Sequence, residues 1–153
     1  MDTAFERDLA ENLDVATKAR AVLLARLRTL TDEDLPRTRR GGWAMQDVLR
    51  HVIDSEVAYT RVVAHLRGLA LQISDATPDD VKSMHAVVSA LERYRQALAS
   101  AVDGVEEDTF YEVRALGRDQ YSVMSVLENV ADHDHEHTGQ IERIMSASAE
   151  TVP

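Results

Sequence analysis

The chain has 153 residues, no cysteine, and 27 acidic against 17 basic side chains, a formal net charge of −10. The lack of cysteine excludes disulfides, thiolate metal sites and a cysteine nucleophile, and the acidic balance argues against nucleic-acid binding and against docking on anionic membrane surfaces. No apolar run approaches the roughly 20 residues of a membrane span, and Met1–Asp8 is acidic and mixed, unlike a secretory leader, so a cytoplasmic chain forming one domain over residues 1–153 is expected.

The first helix is predicted from about Thr3 to Leu30. Phe5, Leu9, Leu13, Ala16, Leu23, Leu27 and Leu30 recur at helical spacing, and Thr3 with Glu6 fits a capping box. Arg20 falls inside that stripe. A snorkelling stem is the favoured reading, with a reach to a buried carboxylate as the alternative. Thr31–Trp43 is a connection broken by Pro36 and Gly41-Gly42, and its Arg37, Arg39 and Arg40 read as a solvated basic loop rather than an anion site.

A second helix is predicted from about Ala44 to Arg67, stopping near Gly68. Its inward residues include Met45, Val48, Leu49, Val52, Tyr59, Val63 and Leu66. His51 lies at the edge of this stripe and Glu56 within it. A carboxylate at a core position is expensive unless it is paired or ligating. After a connection over Leu69–Pro78, Thr77-Pro78-Asp79-Asp80 reads as the start of a third helix reaching about Val102. In the next connection, Thr109–Val113 reads as an extended piece packed on the bundle. Ser122 is the predicted N-cap of a fourth helix that runs to about Ser146, ahead of a polar tail. Four amphipathic helices of this length make an all-α four-helix bundle. Connections of ten or more residues leave room for a crossover topology.

The fourth helix carries His133-Asp134-His135-Glu136-His137. His133 and His137 are four apart and share a face with Val126, Val130, Ile141 and Ile144, whereas His135 points away. Two imidazoles on an apolar face suit a divalent metal, and a catalytic site of this kind takes three protein ligands and an open position. His51, on another long helix, is the best third ligand. His65, His85 and His135 read as surface or boundary residues. The pair shares the spacing of the zinc-protease motif H-E-x-x-H but not its chemistry, since Asp134, one methylene shorter, stands where that motif has its glutamate and no downstream third ligand follows. Glu56, Asp134 and Gln140 are candidates for orienting the ligand imidazoles; for the two carboxylates, ion pairs at the surface or between helices are the alternative.

The segments Trp43-Ala44-Met45-Gln46-Asp47-Val48-Leu49-Arg50-His51 and His133-x-x-x-His137-x-Gly139-Gln140-Ile141 together resemble the DinB/YfiT-like superfamily. That resemblance implies a bundle of up-down-down-up order and a three-histidine metal site, carried onto His51, His133 and His137. Zinc or nickel is the implied ion and a homodimer the implied assembly. Related proteins include transferases and isomerases that use bacillithiol, mycothiol or glutathione, and some hydrolases. The expected activity is therefore metal-dependent thiol transfer to a small electrophile. Metal-dependent hydrolysis and a non-catalytic metal- or small-molecule-binding role in stress response are the alternatives. Since the chain has no cysteine, the thiol would come from outside. Ala44 departs from the family's usual Ser or Thr helix cap, and Asn129 stands where some relatives have another histidine.

Overall fold

The computed structural model describes the backbone of residues 1–150 and the side chains of residues 1–147. Four long helices dominate: α1 (Ala4–Leu27), α2 (Met45–Arg67), α3 (Met84–Val102) and α5 (Val123–Glu150). A short helix, α4 (Glu107–Tyr111), and a small hairpin, β1 (Arg114–Leu116) with β2 (Asp119–Tyr121), fill the third connection.

The helix starts follow local hydrogen-bond chemistry. Thr3 and Glu6 form the reciprocal capping box expected for α1. Ser122 and Ser125 satisfy each other's backbone N–H groups at the start of α5. With Ala44 unable to cap α2, the Asp47 carboxylate accepts from the Ala44 N–H instead, at 3.2 Å. Gly68 ends α2 at φ +65°, a conformation that suits a residue without Cβ. Beside it the Arg67 guanidinium donates to the carbonyls of Ala101, Asp103 and Gly104, tying the ends of α2 and α3 together.

Three local expectations are corrected. Thr77-Pro78-Asp79-Asp80 opens a single 3-10 turn, Pro78–Val81, and α3 begins only at Met84, where the Ser83 hydroxyl accepts from the Ala86 N–H. Residues of the predicted extended piece Thr109–Val113 fall mainly in α4, and the extended pairing comes later, around Gly117 at φ +63°. The last long helix runs past Ser146 to Glu150, so the predicted polar tail begins within it, and the rest of that tail lies outside the described residues.

The core divides into two clusters that fix the helix directions. Near one end, Leu23 and Leu27 of α1 pack with Met45, Leu49 and Ile53 of α2, Val87 and Leu91 of α3, and Ile141 and Ile144 of α5. Near the other, Ala16 and Ala19 meet Val63 and Leu66, Leu98 and Val102, and Val123 to Val130. From the first cluster to the second, α2 and α3 run forward in sequence while α1 and α5 run backward. The order is up-down-down-up. The largest helix contacts are α1 with α5, α2 with α3, and α2 with α5.

Arg20, expected to snorkel, is instead 4% exposed. It meets Glu56 and Asp134, and Arg95 completes the group, so each long helix contributes one charged residue at the bundle centre. Arg20 donates to Asp134 at 3.0 and 3.1 Å and to Glu56 at 3.0 Å. Arg95 donates to Glu56 at 2.5 and 3.4 Å and to Asp134 at 3.0 Å. Each arginine also reaches a backbone carbonyl of a neighbouring helix, Leu91 for Arg20 and Ala16 for Arg95. Two positive and two negative charges cancel, and the shared hydrogen bonds compensate for their removal from water.

Candidate metal centre

His51 comes from the second turn of α2, and His133 and His137 from successive turns of α5. Since α2 and α5 are antiparallel neighbours, the early part of one lies beside the late part of the other. His133 Nε2 stands 2.9 Å from His137 Nε2 and 3.2 Å from His51 Nε2. His137 is buried, while His51 and His133 are half-buried, so the group opens to solvent on one side. His65, His85 and His135 are all exposed and stand apart from it.

The donor chemistry fits a cation. Gln140 Oε1 lies 2.7 Å from His137 Nδ1. An amide oxygen cannot donate, so Nδ1 carries the proton and Nε2 keeps its lone pair. One proton on His133 Nε2 can serve only one of its two neighbouring nitrogens well. A cation where the three lone pairs meet would serve all three. Nitrogens bound tetrahedrally at about 2.0–2.1 Å stand about 3.3 Å apart, close to the two spacings seen. Burial pushes the pKa values of His51 and His133 down, and charge repulsion from His137 pushes both the same way. Nearby carboxylates, Asp54 and Glu136 for His51 and Glu136 and Asp134 for His133, act in the opposite sense. Both rings are thus biased toward the neutral, ligating form.

Aromatic rings pack against two of the imidazoles, and charged side chains adjoin His51. Trp43 meets His51 edge-on with ring centres 5.5 Å apart, and Tyr59 meets His133 at 6.2 Å. A cavity of about 380 Å³ adjoins His51, lined by Trp43, Asp47, Arg50 and Asp54. Of the three residues considered for orienting the imidazoles, Gln140 bonds one directly. Glu56 and Asp134 take the alternative role, because their oxygens are engaged by Arg20 and Arg95 in the helix-to-helix ion network. Arg95 is not among the residues the sequence pattern singles out, although it sits four residues after Leu91 and three before Leu98 on α3. Asn129 is exposed one turn before His133. Arg37, Arg39 and Arg40 are exposed, as expected of a solvated loop, with Arg37 paired to Asp34 at 2.7 Å. Among the described residues no helix is long and apolar enough to cross a membrane.

Comparison with known proteins places this arrangement in context. A search of curated proteins returned no match. Among solved structures, TT2238, described as a four-helix bundle protein, is 24% identical, with a TM-score of 0.66 over 88% of this chain and 98% of that one. A DinB-like protein from Bacillus cereus ATCC 10987 is 18% identical, with a TM-score of 0.71 over 93% of each chain. At these identities the two structures support the bundle fold alone. The model of the DinB superfamily matches residues 16–141, a span that includes all three converging histidines and the four helices that carry the core, and the chain belongs to that superfamily.

Proposed function

We propose that the protein is a metal-dependent thiol S-transferase. His51, His133 and His137 hold a divalent ion, zinc or nickel, and a low-molecular-weight thiol of the bacillithiol, mycothiol or glutathione type is added to a small electrophile. The observation that carries this reading is a group of three imidazoles whose ligand nitrogens all lie within 4.8 Å of one another, two of the three rings half-buried. When bound, the ion supplies the acidity that makes a thiol a nucleophile near neutral pH. The chain's own residues do the positioning. Gln140 holds His137 in the tautomer whose Nε2 is free. Trp43 packs edge-on against His51 and Tyr59 against His133, which restricts the ring orientations of two of the three imidazoles. Because the chain has no cysteine, the sulfur belongs to the second substrate. Three histidines with an open position are also the donor set of hydrolytic zinc sites, so hydrolysis is the second reading.

Metal content after chelator-free purification is the first test, with His51→Ala and His137→Ala as controls. Wild-type protein should carry about one zinc or nickel per chain and the variants far less. Equal metal in all three would remove the centre. Loaded protein is then incubated with each of the three thiols and a panel of electrophiles. Product that requires metal, thiol and His51 supports the transferase. Product formed without thiol supports hydrolysis, and no metal-dependent product in any combination leaves a binding protein.

A further inference from the structure

The mouth of the histidine centre carries a second feature, a pair of charges that are barely used. Asp47, Arg50 and Asp54, spaced three and four apart on α2, lie along one face, with His51 beside Arg50 on the same side. Together with Trp43 they line the cavity of about 380 Å³. Trp43 is 52% exposed, unusual for the largest apolar side chain in the protein. It is held out by the turn over Thr38–Ala44, where Gly41 adopts φ +76° and the Thr38 hydroxyl donates to the Gly42 carbonyl at 3.0 Å.

A guanidinium offers five N–H donors. Arg50 approaches Asp54 only to 3.9 Å and the Ala76 carbonyl only to 3.5 Å, and the Arg50 and Asp54 side chains are 43% and 51% exposed. The same chain builds tight pairs where it needs them, since Arg20 and Arg95 reach carboxylates at 2.5–3.4 Å in the bundle centre. Asp47 is committed to the Ala44 N–H at 3.2 Å. What remains at the mouth is one available cation and one available anion, four residues apart on a helix face, beside an exposed indole.

We propose that this mouth binds the α-amino acid head of the ligand, its carboxylate against Arg50 and its ammonium against Asp54, with the Trp43 indole covering the carbon chain that leads to the histidines. A ligand bearing only negative charge would meet Asp47 and Asp54, and one bearing only positive charge would meet Arg50. A zwitterionic head satisfies both. The proposal rests on the reading of the histidine group as a metal centre, and the experiment separates the two.

Cobalt-loaded protein is titrated with L-cysteine, cysteamine and mercaptopropionate, followed by the visible cobalt spectrum. The three share a thiol and differ in whether the head carries both charges, ammonium alone or carboxylate alone. Wild-type protein should favour cysteine over each of the others, and part of that preference, about two- to fivefold for each exposed charge contact, should depend on α2. Arg50→Gln should remove that part of the preference over cysteamine and leave the preference over mercaptopropionate. Asp54→Asn should do the reverse. If both variants keep the wild-type preferences, any advantage of cysteine comes from chelation by its own nitrogen and the proposed head-group site is overturned. If no histidine-dependent cobalt spectrum forms at all, the metal centre fails, and the head-group proposal falls with it.

Discussion

Removing Asp134 should destabilise the bundle more than any single apolar truncation at its surface. Its carboxylate accepts from Arg20 Nε and Nη2 and from Arg95 Nη2 at 3.0–3.1 Å, and the residue is 1% exposed. In Asp134→Ala, two buried guanidinium groups share Glu56 alone, leaving one uncompensated positive charge at the centre. Breaking a buried pair from one side costs about 3–5 kcal/mol. With a urea m-value of about 1–3 kcal/mol per molar for a chain of this size, the midpoint should fall by about 2 M at an unchanged m. Arg20→Ala should cost a similar amount by leaving a net negative charge. The double variant Arg20→Ala/Asp134→Ala leaves Glu56 and Arg95 to each other, so it should lose far less than the sum of the single changes. Equilibrium urea unfolding of the three variants, followed by far-ultraviolet circular dichroism, tests this. Single-variant losses under about 1 kcal/mol, or losses that simply add in the double variant, would refute the view of the four charges as one coupled unit.

Gln140→Leu keeps the helix and removes the acceptor of the His137 Nδ1 proton, so zinc affinity measured by chelator competition should drop about 10- to 100-fold, whereas Gln140→Glu should retain or raise it. Trp43 is the only tryptophan in the chain and its ring centre is 5.5 Å from that of His51; nickel or cobalt should therefore quench most of the intrinsic fluorescence, and the quenching should vanish in His133→Ala. For the metal-free protein, burial lowers the pKa values of His51 and His133 below 6.5. The unfolded chain then binds more protons than the native one just below that pH, so this contribution to stability is present above about pH 6.5 and is lost as pH falls through 6.5 toward the folded values. Histidine ring titrations by NMR should place both folded midpoints under 6.5, and a midpoint above it for either ring would contradict the desolvation argument.

Much of the bundle was legible because long amphipathic helices repeat one signal over many turns. The inward pair His133 and His137 stood out for the same reason, and His51 entered as a histidine at the edge of another apolar stripe. Residues Glu107–Tyr111 make a single turn and a half, too short for periodicity to separate the α4 helix from an extended piece. The acidic run at Thr77–Asp80 looked like a helix start because its chemistry is that of a cap; it closes a 3-10 turn instead. The ion network was half visible. Arg20, Glu56 and Asp134 each sat at an inward position, but which charges meet depends on helix order and stagger, and these are set by packing across elements far apart in sequence. Arg95 lay between Tyr94 and Leu98 with nothing local to mark its long reach to Glu56.

The pairing of α1 with α5 also has a meaning in time. Arg20 and Asp134 are 114 residues apart, and α1 has its largest contact with the last helix made rather than with α2. At about 5–20 residues per second on the ribosome, the first helix waits on the order of ten seconds for its principal partner to be synthesised. The same delay applies to His51, whose partners His133 and His137 arrive 82 and 86 residues later. Closure of the bundle and assembly of the histidine centre are therefore one late event, completed only when α5 has left the exit tunnel. A nascent chain truncated before it should hold Arg20 without its Asp134 partner and only one of the three imidazoles.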